Sequence, residues 1–165
     1  MRLLYYSFLV ILTSTIALSA THYNITSGSL HKGGSINISS KISDDIFEVT
    51  LNYKLKKRFF VPVSADKLKG SKKTKLPFEF STEDGYLELE KLGSKKVKKA
   101  ELKFLGRTSY GRYTNAYKFK IIPNNGKSTT EAIYHPQAPG IGWLNIKVTF
   151  NDILDGYTIE ARIKD

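Results

Sequence analysis

The strongest constraint in this chain is a rhythm: apolar side chains return at every second position through much of its length. The clearest run is Phe47, Val49, Leu51, Tyr53 and Leu55, with Glu48, Thr50, Asn52 and Lys54 between them. In an extended strand successive side chains point to opposite faces, so this pattern builds a strand with one buried and one wetted side. The same alternation recurs in Ile36-Ile38, Ala100-Leu102-Phe104, Tyr117-Phe119-Ile121, Leu144-Ile146-Val148-Phe150 and Tyr157-Ile159-Ala161-Ile163. Tyr23 to Ser27, Arg58 to Val63 and Thr130 to His135 are further candidates. Turn chemistry punctuates these runs. Pro123-Asn124-Asn125-Gly126 suits a tight hairpin, because Asn-Gly accepts positive φ angles, and Asp155-Gly156 precedes the last run. The expected fold is all-β, a mainly antiparallel β-sandwich of about seven to nine strands with room for one short helix.

The stretch from Ser64 to Lys99 departs from the rhythm. Ala65 to Lys69 fits one helical turn ended by Gly70, and Ser71-Lys72-Lys73-Thr74-Lys75 reads as an exposed loop. Thr82-Glu83-Asp84 suits the start of a short helix ending at Gly93, but Leu87 and Leu89 also alternate as in a strand, so residues 82–92 stay open between the two.

The chain's 165 residues are the size of one domain. Its start reads as a removable leader over residues 1–20: a charged Met1-Arg2, an apolar stretch from Leu3 to Leu12, and small residues around Ser19 and Ala20, either of which suits cleavage. Polar residues interrupt the apolar run well short of the ~20 residues that span a bilayer, so no transmembrane segment is expected once the leader is gone. Residues 21–165 then form the single domain. Export together with the absence of cysteine points to a bacterial periplasmic or extracellular protein.

Lys and Arg number 26 against 15 Asp and Glu, a formal charge of +11 whose field concentrates anionic partners. Lysines cluster at Lys54 to Lys57, Lys67 to Lys75 and Lys95 to Lys99. They suit an anionic surface, and equally they discourage strand edges from pairing with neighbours.

Enzyme classes find little support in the sequence. A nucleophile needs an adjacent base, and His22, His31 and His135 are scattered, with no Gly-x-Ser-x-Gly elbow. The histidines and carboxylates lack the spacing of zinc or calcium ligands, so no metal and no cofactor is expected. The glycines of Gly106 to Gly111 are separated as in a phosphate loop, but Arg112 and Tyr113 stand where Lys and Ser or Thr are required.

That segment reads better as a basic and aromatic binding patch. Arg107, Tyr110, Arg112, Tyr113 and Tyr117 interleave cations with flat rings, which stack on sugars while guanidinium groups grip carboxylate or phosphate in two-point contacts. His135 and Trp143 flank a loop rich in proline and glycine and are the remaining candidates; in the competing reading the Trp plugs the core and the His serves a loop carbonyl. The sequence therefore suggests a non-enzymatic exported binding module whose partners are an anionic polysaccharide, lipid headgroups or an envelope protein. No specific nucleic-acid motif is present. The alternative is an assembly subunit acting through strand edges, and a hydrolase with an unrecognised site is a distant third.

Overall fold

The computed structural model describes residues 16–28, 31–57, 69–151 and 157–163. Among these residues ten strands lie in one antiparallel sheet: β1 (Ile16–Gly28), β2 (His31–Ser43), β3 (Ile46–Lys57), β4 (Lys69–Pro77), β5 (Ser94–Val97), β6 (Ala100–Tyr110), β7 (Tyr113–Pro123), β8 (Ser128–Tyr134), β9 (Trp143–Phe150) and β10 (Tyr157–Ile163). Their order is β4-β3-β2-β1-β10-β9-β8-β7-β6-β5, so the first and last strands of the chain are neighbours.

The expected β-sandwich is corrected here: the sheet curls on itself into a nearly closed barrel. The rings of Tyr53 on β3 and Phe150 on β9 lie 5.6 Å apart, although β2, β1 and β10 stand between those strands in the sheet. Four strand spacings in a flat sheet would separate them by ~19 Å. Alternation guarantees that each strand has an oily face, but that face is as well covered by the far wall of the same sheet as by a second one. The core holds the inward residues of this single layer, among them Ile36, Ile38, Val49, Leu102, Phe119, Ile146 and Ile159.

The ends of the sheet, β4 and β5, leave the gap in the wall. Between them in the chain come a 3-10 turn (Phe78–Ser81) and one helix, α1 (Glu83–Leu92). This settles residues 82–92 as helix: Gly93 ends it at φ 72°, where its N–H reaches the Leu89 carbonyl at 2.8 Å. Leu87 is left on the exposed side while Tyr86 and Leu89 are buried.

Ser71 to Lys75, expected as a loop, is part of strand β4, paired with β3 from Ile46↔Pro77 to Lys54↔Lys69. Its inward positions are Gly70, Lys72, Thr74 and Leu76, so an apolar rhythm is missing although the ladder is regular. The hairpin at Asn124-Asn125-Gly126 forms as expected, with Gly126 at φ 64° donating to the Pro123 carbonyl at 3.0 Å. The expected strand Arg58 to Val63 and the turn at Asp155-Gly156 lie outside the described residues; so do residues 65–68 of the expected helical turn Ala65 to Lys69, whose last residue and the Gly70 that was to end it open β4 instead.

β1 begins within the stretch read as leader. Its pairing with β2 shifts register between Leu18 and Thr21, and its pairing with β10 involves only residues from Tyr23 onward.

Candidate functional site

The β6–β7 hairpin carries most of the expected patch. Tyr110 pairs with Tyr113 across a two-residue tip, where Gly111 takes φ 56°. Register shifts between Phe104 and Gly106 and between Thr108 and Tyr110 add local twist, as bulges do, and turn the tip relative to the wall it leaves.

Below the tip lies an apolar cluster distinct from the main core, formed by buried Ala116, Ala138 and Leu144 with Tyr110, Tyr113, Ile133 and Ile163 packed against it. A bulge creates it. Tyr134 pairs with Trp143 and Ile133 with Asn145, which leaves Leu144 as the extra residue. The two-residue rhythm breaks there, so Trp143 joins the main core while Leu144 joins this second cluster.

Tyr110, Arg112 and Tyr113 line a cleft of about 540 Å³ together with Pro139, Leu144 and Ile163. Tyr110 is also the boundary of a second cleft of about 300 Å³, lined by Lys118, Glu131, Asn145, Lys147 and Glu160. The second cleft is charged but balanced. Lys120, Glu131, Lys147 and Glu160 stand opposite one another on β7, β8, β9 and β10, and the Lys120–Glu131 pair closes at 3.3 Å. Asn145 donates to Glu160 at 3.0 Å.

The Arg112 guanidinium sits 5.2 Å from the centre of the Tyr113 ring and its Nη2 donates to the Tyr113 hydroxyl at 3.2 Å. His135 also lies against Tyr113, ring centres 5.1 Å apart. His135 is held by its own loop: its Nδ1 accepts from the Gln137 N–H at 3.2 Å, and its N–H donates to the Gly142 carbonyl at 2.9 Å. Gly140, at φ 65°, lies so close to Thr21 that a Cβ there would collide with the threonine side chain, so the loop is pinned against β1.

Three of the expected residues, Arg107, Tyr117 and Trp143, sit elsewhere. Arg107 turns toward α1, where Nε and Nη2 grip both carboxylate oxygens of Glu90 at 2.9 and 2.5 Å while Nη1 donates to the Asn115 carbonyl at 2.8 Å. Its guanidinium stacks 3.4 Å from the centre of the Tyr117 ring, and the Tyr117 hydroxyl donates to Glu83 at 2.7 Å. The hydrogen bond from Arg107 holds the Glu90 carboxyl below its ordinary pKa, and Glu90 in turn holds the Arg107 guanidinium above its own. Trp143 is fully buried, and its Nε1 donates to the Tyr86 hydroxyl at 2.9 Å.

The structure thus gathers Tyr110, Arg112, Tyr113 and His135, and assigns Arg107 and Trp143 to contacts with α1. Sequence reasoning missed Pro139, Leu144 and Ile163 as the cleft's apolar walls. Leu144 was hidden because it falls in phase with Ile146, and only the bulge takes it out of that series. Among the described residues no three His, Asp or Glu are grouped so as to hold a metal ion, and no helix is long and apolar enough to cross a membrane. Comparisons with family models, curated proteins and solved structures find no match to this chain.

Proposed function

We propose that this all-β chain is an exported, non-enzymatic binding module that holds an anionic carbohydrate in the cleft under the β6–β7 hairpin. One observation carries the reading: two half-buried tyrosines and an arginine converge on a 540 Å³ recess with an apolar floor. A sugar ring has apolar faces that stack on Tyr110 and Tyr113, and a carboxylate or phosphate on that sugar meets the Arg112 fork at the rim. The basic excess of the chain, +11, raises the local concentration of such a polymer before it docks.

Export rests on the leader-like start. Cleavage after Ser19 or Ala20 removes the first residues of β1 with its pairs Ile16↔Ile42, Ala17↔Lys41 and Leu18↔Ser40 to β2, and leaves every pair that joins β1 to β10.

The test is retention of the protein, purified in its exported form, on an acidic polysaccharide matrix against a neutral one. Retention is expected on the acidic matrix, falling as salt rises, because exposed charges are screened within about 8 Å at physiological ionic strength. Replacing Tyr110, Arg112 and Tyr113 together by Ala is expected to weaken binding at least about tenfold, ~1.4 kcal/mol. Equal retention of this variant and the parent removes the proposal.

A further inference from the structure

We infer that the gap in the barrel wall receives an acidic, extended segment of a partner protein, which adds to β4 as a further strand. Among the described residues β4 is the terminal strand of the sheet and pairs with β3 alone. A strand edge of nine residues offers backbone N–H and C=O groups in register, the arrangement by which sheets capture extended peptides.

A cavity of about 370 Å³ spans the gap from the end of β4 to the β5–β6 turn. Leu76, Pro77 and Val97 give it an apolar floor, Lys75, Lys98 and Lys99 a basic rim, and Asp45 is the one carboxylate among its lining residues. Ile46, another of its lining residues, and Phe78, which follows Pro77 in the chain, are 38% and 43% exposed. The recess therefore accepts an apolar side chain from a segment whose neighbouring residues are acidic.

Charge selects the occupant. The exposed positions of β4 are Lys69, Ser71, Lys73 and Lys75. Glu48 is shared between Lys73 and Lys75 at 3.6 and 3.7 Å, so one carboxylate faces two ammonium groups. Lys98 and Lys99 are exposed and form no ion pair among the described residues. A second copy of this chain pairing through β4 would set lysine against lysine, which is repulsive. A strand with carboxylates at alternate positions meets them with the opposite sign.

The experiment uses the exported protein and a synthetic peptide of about ten residues, the length of a long strand, in which Glu alternates with Val. Titration calorimetry is expected to show saturable binding, and amide hydrogen exchange to show new protection in β4. The double substitution Lys98→Glu and Lys99→Glu lies on a turn and leaves the β3–β4 ladder untouched; it is expected to weaken the peptide at least tenfold. Substitution of Tyr110, Arg112 and Tyr113 by Ala is expected to leave peptide binding unchanged, which separates this surface from the cleft. The inference is overturned by absence of binding, by protection elsewhere than β4, by equal affinity for a peptide with Lys in place of Glu, or by equal binding of a short duplex DNA.

Discussion

Two groups of tyrosines in this barrel show how far one residue type diverges in role. Inside, Tyr86 of α1 stacks on Tyr134 with ring centres 3.7 Å apart, and meets Phe80 and Phe119 edge-on at 5.3 and 5.1 Å. Its hydroxyl accepts the Trp143 indole N–H, and burial pushes its pKa far above the ordinary value. Outside, Tyr110 and Tyr113 are half-buried, packed against the second cluster and lining the cleft. The two arginines nearby divide in the same way. Arg107 is fastened on several sides to α1 and β7, while Arg112 stands exposed at the hairpin tip. Rings enclosed on every side hold the helix in the barrel; rings that line the cleft stay partly exposed.

The sharpest way to break this contrast is truncation. Tyr86→Ala is expected to destabilise the fold by about 3–5 kcal/mol in urea unfolding, the cost of emptying a large aromatic site in a core. Tyr113→Ala is expected to cost less than about 1 kcal/mol while reducing ligand retention. Similar losses for both would erase the distinction.

Tyr86→Phe asks a finer question, since it keeps the ring and strands the Trp143 N–H without an acceptor. A loss of about 1–3 kcal/mol is expected, the cost of an unsatisfied buried donor, measured by the same unfolding curves.

Arg107→Ala is expected to lower the thermal midpoint by a few degrees, and Arg112→Ala to leave it nearly unchanged. The Arg107 clamp is also acid-sensitive. Because Arg107 depresses the Glu90 pKa, the clamp's contribution is complete above the ordinary carboxylate value and disappears as pH falls through the lowered one.

The smallest effect at neutral pH, none at all, comes from the enclosed phenols, and it emerges only in alkali. Burial is the main cause that pushes Tyr117 and Tyr134 from 10.0 up to about 12. The unfolded chain therefore loses these protons first, and stability is full below pH 10 and declines as pH rises toward about 12. A urea midpoint that stays flat across that window would show the rings to be wetter than the packing implies.

Much of the fold was legible because it is written in period two. β2, β3, β6, β7, β8, β9 and β10 all fall where apolar alternation or the Asn-Gly turn places strands. What period two does not encode is which surface covers the oily face, so the step from strands to a sandwich had no local basis and the barrel overturned it. β4 was illegible for another reason. Its inward residues include Gly70, Lys72 and Thr74, and Lys72 is accommodated with its ammonium 5.3 Å from the centre of the Phe150 ring, a contact made across the barrel. The cleft was half legible. Tyr110, Arg112 and Tyr113 are local to one hairpin, so sequence proximity groups them. Arg107 turns away from that group, because its partner Glu90 lies on an element whose helical nature the sequence left undecided.

The adjacency of β1 and β10 has a consequence for how this molecule comes into being. Tyr23 lies opposite Ile163 and Ile25 opposite Ala161, pairs that span nearly the whole chain. A polypeptide emerging from its N-terminus holds β1 with one edge bare until β10 has been made, although β2 is at hand at once. The pairing that joins the two halves of the sheet is thus a long-range one, slow to form as such pairings are, and a chain without β10 would keep its hairpins yet lack the clasp between them.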